Sequence, residues 1–204
     1  MNDTHMNGNG NGNGNRVGDI VPLRERRGDW FFIVMFSVFV FTSLAADLVN
    51  AVSAPAADHP YFWARAVYHL YAVGNDPLLI ANPMFLRTMC FLSAFVFGPF
   101  YVVLVYAFVR GRNWIRPYAL VYTGMIVESM IVLLAVEFLG EARLLETMCA
   151  CGVKSAEDLE AAGLNRDLTV QNPVKFLTFN LPYKLVPILL AVRVWRPKPF
   201  SRKG

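Results

Sequence analysis

The chain has 204 residues, 55% of them hydrophobic, and a formal net charge of +4. So large an apolar share excludes an ordinary water-soluble domain. The basic excess is accounted for by a loop bias described below, so no nucleic acid is expected as a partner.

In chain order, Asn7 to Asn15 alternate glycine with asparagine, a composition that cannot bury a core. Residues 1–26 are therefore expected to form a disordered tail. No cleavable signal peptide is expected, because the first apolar run follows basic residues and is too long. That run, Phe31–Val52, reaches the roughly 20 apolar residues needed to cross a bilayer core. It ends in Ser43, Asp47 and Asn50, which fall on one helix face. The segment Ser53–Pro83 is aromatic but broken by Pro and Gly, and is expected to lie at the interface or over the bundle mouth. It closes on the turn signal Gly74–Leu79.

The second span, Thr88–Val109, carries Gly98-Pro99 near its middle. Proline there removes a backbone hydrogen bond and kinks the helix, which leaves room for a cavity. The short link Arg110–Arg116 makes the second and third spans antiparallel neighbours. The third span, Tyr118–Leu139, carries Glu128 and Glu137. In the polar loop Gly140–Lys175, Ser155–Asp158 reads as a helix N-cap with an acidic first turn and Gly163 as a stop. The fourth span, Phe176–Val194, contains Asn180, Tyr183, Lys184 and Pro187. No internal repeat suggests an inverted-repeat transporter. The reading is an all-α, four-span bundle with an internal ligand cavity over residues 27–197, followed by a short tail at 198–204.

Four spans put both termini on one side. That side collects twelve Lys and Arg residues against six on the other, with Lys184 inside a span. The termini are expected to be cytoplasmic.

A carboxylate inside hydrocarbon is costly and is tolerated mainly where it faces a cavity, a partner or a proton path. Asp47, Ser93, Glu128, Ser129, Glu137, Asn180, Tyr183 and Lys184 are the polar candidates at membrane depth. Asp47 and Glu137 lie near span ends and reach either the interior or water. Glu128 lies too deep to snorkel and is expected to face the interior with Lys184 as its partner. Asp47 and Glu128 are the catalytic candidates. Cys90 reads as a small packing residue, and Cys149 and Cys151 are too close for an ordinary disulfide. No metal site and no cofactor are expected. An acidic interior with aromatic walls can bind an amphipathic amine or move a proton on and off a polycyclic alkene. The residues alone do not decide between these.

Asn75-Asp76-Pro77-Leu78-Leu79, Gly98-Pro99-Phe100, Tyr106–Gly111, Trp114-Ile115-Arg116-Pro117 and Pro182–Pro187 together resemble the EXPERA-domain family, over about Arg27–Pro197. The likeness is closer to its sigma-two-receptor branch than to its sterol-isomerase branch. The resemblance implies a ligand cavity opening toward the bilayer and an endoplasmic reticulum location. In the sigma-two branch two aspartates anchor a cationic ligand and match Asp47 and Asp76; a pocket tyrosine matches Tyr183. In the isomerase branch an asparagine and a tryptophan match Asn180 and Tyr183. The branch's histidine has no counterpart in a span here, since His5, His59 and His69 lie outside all four. Its second-span glutamate falls on Cys90, and the sigma-two glutamate falls on Ser93. Glu128 and Lys184 stand at positions uncharged in the family.

The expected function is binding of a sterol or related hydrophobic or amine ligand by Asp47, Asp76, Ser93, Glu128, Asn180, Tyr183 and Lys184. Asp76 is expected to hold Asp47 by a hydrogen bond. The alternative is a membrane isomerase or cyclase acting on a steroid or terpenoid through acid and base carboxylates. A structural partner of another membrane protein is a third class, and a homodimer is left open.

Overall fold

The computed structural model describes residues 20–140 and 169–202. Among these, four helices are long and apolar enough to cross a membrane: α1 (Asp29–Val52), α4 (Met84–Arg110), α5 (Ile115–Leu139) and α6 (Pro173–Val194). Between α1 and α4 lie two short helices, α2 (Phe62–Val67) and α3 (Pro77–Ala81). Helices are the natural answer here, because hydrocarbon offers no partner to a backbone polar group and a helix satisfies its own.

The spans begin a few residues before the sequence runs suggest. At α6, the Asn172 side chain accepts from Lys175 N at 3.0 Å and Pro173 fills the first helical position. Proline is favoured there because its missing N–H is an orphan in any case. Asp76 plays the same part for α3, accepting from Leu79 N at 2.8 Å ahead of Pro77.

The helices form an up-and-down bundle. α1 packs along α4, and α5 along α6. Thr123 Oγ1 donates to Pro187 O at 3.1 Å and sets the level of α5 against α6. The centre is aromatic: Phe36, Phe39 and Tyr101 are fully buried, with Tyr122 against them. The outer surface is apolar as well, with Val34, Val38, Phe91, Phe95, Val121, Ile131 and Leu189 all exposed. That is how a span faces lipid.

The first and last described segments meet at one end of the bundle. Val21 N donates to Phe200 O at 2.9 Å, and Ile20 bridges to Ser201. Beneath this contact Asp29 is buried between two guanidinium groups. Arg26 pairs with it, and Arg193 donates to both its oxygens at 2.7 and 3.0 Å. The Phe200 ring lies between the same two arginines, 4.9 and 5.2 Å from their guanidinium carbons. In the sequence Arg26 and Arg193 read only as loop charges; the fold uses them as a clasp.

Three expectations fall wholly or mostly on residues outside the described ones: the disordered tail, of which only residues 20–26 are described, the Cys149 and Cys151 pair, and the capped helix at Ser155–Asp158.

Candidate functional site

The polar interior is built where two helices loosen. α1 has a π-helical turn at Ser43–Asp47 and α4 has one at Ser93–Phe97, directly before Gly98-Pro99. Pro99 cannot donate to its own helix, and a wider turn just ahead of it absorbs the mismatch. Such π-turns are frequent at functional sites because they re-aim side chains. Here the two turns face one another. Ser43 Oγ lies 3.3 Å from Ser93 Oγ, and Ser93 Oγ donates to Asp47 Oδ2 at 2.6 Å. Gly98 lies where the helices approach, and a Cβ there would make ordinary contact with Ser43 Cβ at 3.5 Å.

Asp47 is half-buried at this centre. The adjoining wall is aromatic. Tyr183 of α6 stacks on Phe39 at 4.3 Å with the rings 12° apart, and its hydroxyl meets that of Thr42. Tyr101 and Tyr122 bring their hydroxyls to 3.3 Å deeper in the bundle. Asp47, Ser93 and Tyr183 of the expected set are thus brought to one region.

A second acidic centre lies at the end of the bundle away from the termini. Asp76, nine-tenths buried or more, is surrounded by Tyr71 and Glu137. Burial pushes the Asp76 carboxyl above its ordinary value of 3.8, partly offset by the polar groups of Glu137, Leu79 and Tyr71 around it. Burial, and then the Asp76 charge, pushes the Tyr71 hydroxyl up as well. Asn180 of α6 donates to the Tyr71 hydroxyl at 2.7 Å. Lys175 Nζ reaches Tyr71 O at 3.5 Å. Glu137 is fully buried beside Asp76, and apart from that carboxyl neither of its oxygens has a hydrogen-bond partner among the described residues. The buried Asn75 amide is likewise unpaired at both atoms among them. The backbone ties these residues together: Val170 N donates to Glu137 O and Gln171 N to Asn75 O, both at 3.0 Å.

Three expectations need correction. Asp76 does not hydrogen-bond Asp47: Ser93 serves Asp47, and Asp76 caps α3. Glu128 does not face the interior. The buried side of α5 runs through Tyr122, Ile126, Met130, Leu133 and Glu137, a helical stripe that leaves Glu128 exposed on the opposite side. Lys184 is half-buried and is not its ion-pair partner. The inward acid of α5 is Glu137, for which the sequence leaves interior and water both open. Cys90 is buried on α4, as a packing residue should be. Tyr71 and Asn75 escape sequence reasoning because they lie in an interrupted segment with no membrane-depth signal. Of the histidines among the described residues, His59 bonds Ser53 at 2.8 Å and His69 is exposed.

The family model described as EBP: EXPERA (EXPanded EBP superfamily) matches residues 60–194. The Sigma intracellular receptor 2 of Xenopus tropicalis is 24% identical over 163 residues, covering 79% of this chain and 84% of that protein.

Proposed function

The chain belongs to the EXPERA family, and on that premise we propose that it binds a hydrophobic amine or a sterol-like lipid in its polar interior. It is a multi-pass membrane protein related to a protein named as an intracellular receptor. The observation that carries the reading is the Asp47 centre. Two π-turns bring a carboxylate and two serine hydroxyls together beside the stacked Phe39 and Tyr183 rings. An ammonium group entering there would pair with Asp47 and lie against aromatic faces, while its hydrocarbon replaced lipid contacts. Charge-assisted hydrogen bonds and cation–π contact strengthen together in a medium of low dielectric.

Equilibrium binding of a radiolabelled hydrophobic tertiary amine to the protein in nanodiscs tests this. Asp47→Asn is expected to weaken binding by about tenfold or more, the loss of one desolvated ionic contact. Ser93→Ala is expected to weaken it less, because Ser93 orients the carboxylate without touching the ligand. Undiminished affinity in Asp47→Asn would refute the assignment.

A second reading, an isomerase or cyclase of a steroid or terpenoid, is favoured by one observation. Asp76 and Glu137 are adjacent and buried, and apart from Asp76 the oxygens of Glu137 have no hydrogen-bond partner among the described residues. Adjacent buried carboxyls separate into an acid and a base. Mass spectra of lipids extracted from the protein before and after incubation discriminate the two: an unchanged bound lipid supports binding, and an isomerised one supports catalysis.

A further inference from the structure

Outside the interior, α5 and α6 leave an open groove on the lipid-facing surface. Its walls are Val127, Ile188, Ala191 and Val192, and its floor is opened by Gly124, where an added Cβ would meet nothing within 4 Å. The groove runs toward the end of the bundle that carries both termini, where Trp195 is 70% exposed. There it meets a second recess formed by the chain leaving α6. Val192 and Arg196 line both, so the two are continuous. The second recess differs in chemistry: Arg196, Lys198 and Arg202 line it. Arg202 makes a long ion pair with Glu25 at 3.8 Å. Arg196 and Lys198 are exposed and take part in none of the ion pairs among the described residues.

An apolar groove on the lipid-facing surface that ends in exposed cations has the form of one amphiphile. We propose that this surface seats a phospholipid with an anionic headgroup. One acyl chain lies between α5 and α6 over Gly124, and the phosphate is held by Arg196 and Lys198. The charge decides the class. A zwitterionic headgroup would bring its own cation into a basic recess, whereas an anionic one neutralises it. The level also fits, because tryptophan settles at the headgroup boundary and Trp195 stands where the groove meets the recess. Arg116 fixes that junction by donating to Trp195 O at 3.1 and 3.2 Å. Basic recesses beside membrane helices bind anionic lipid headgroups by this physics.

The test uses Trp195 as the reporter in the full chain, with Trp30, Trp63 and Trp114 replaced by phenylalanine. The protein is reconstituted into phosphatidylcholine vesicles containing chain-brominated phosphatidylglycerol or chain-brominated phosphatidylcholine. Half-maximal quenching is expected at about a tenfold lower mole fraction of the anionic lipid, the effect of one to two interfacial cations. Arg196→Gln with Lys198→Gln is expected to remove that difference. Gly124→Phe fills the groove without touching the charges and is expected to reduce the preference while leaving the thermal melt unchanged. Equal quenching by the two lipids in the parent protein overturns the proposal, and so does a preference that survives the charge substitutions. A preference untouched by Gly124→Phe also overturns it, since that result means diffuse attraction to the surface without a seat.

Discussion

The two glutamates of α5 show how much a single register decides. They are nine positions apart, a spacing that turns one inward and the other to lipid. Depth in the sequence run favours Glu128 as the interior acid, and the run itself gives no sign of which stripe faces inward because α5 is apolar on every side. The structure assigns the interior to Glu137. Glu137→Gln is therefore expected to alter ligand binding or conversion measured in nanodiscs, whereas Glu128→Gln leaves both within about twofold of the parent; the reverse ranking would contradict the placement. At Asp76 the sign of the pH effect follows from burial. The folded state holds this proton more tightly than the unfolded chain, whose value is near 3.8. Below that pH both states are protonated and the group is neutral to stability. As pH rises above it, the unfolded chain ionises first, so stability falls until the folded group ionises too. Asp76→Asn is expected to flatten that decline in a pH series of thermal melts, and a slope unchanged by the substitution would contradict it.

At the scale of the helix, the four spans are legible in the sequence because a bilayer imposes one length and one composition. Gly98-Pro99 is legible as a break for an equally simple reason, a missing N–H. The form of the break is not. It is a π-turn at Ser93–Phe97 matched by another at Ser43–Asp47 on the facing helix, and nothing in the α1 sequence marks the second. The match is a property of the pair. Gly98 sits at the closest approach, with Ser43 Cβ and Ser93 O each 3.5 Å from the place an alanine methyl would take. Gly98→Ala is expected to be tolerated at ordinary van der Waals contact, while Gly98→Leu drives the turns apart and lowers amine affinity by about tenfold, in line with overpacking costs of roughly 1–3 kcal/mol. Equal affinity for the two variants would mean that the facing turns do not shape the site.

For the molecule as a whole, one end is locked and the other holds buried polar groups that lack partners among the described residues. The locked end joins both tails through Asp29, Arg26 and Arg193. Gly111 permits that closure: its φ is +63°, and a Cβ would fall 2.6 Å from Ile20 Cγ2. Removing one partner of a buried ion pair costs about 3–5 kcal/mol, so Asp29→Ala is expected to lower the melting temperature and expose the tail segments to protease; an unchanged digestion pattern would contradict the clasp. Family and architecture can be read from ordered motifs along the chain. The clasp, the Asp76–Glu137 pairing and the outward turn of Glu128 cannot, because each depends on how helices distant in sequence are rotated against one another. Whether ligand enters the interior at Asp47 is read out by photoaffinity labelling with a hydrophobic amine bearing a photoreactive tail. Entry there gives adducts on peptides containing Phe39–Asp47, Ser93–Tyr101 and Tyr183, all lost in Asp47→Asn. Adducts confined to the outer faces of α5 and α6, and unaffected by that substitution, would contradict it.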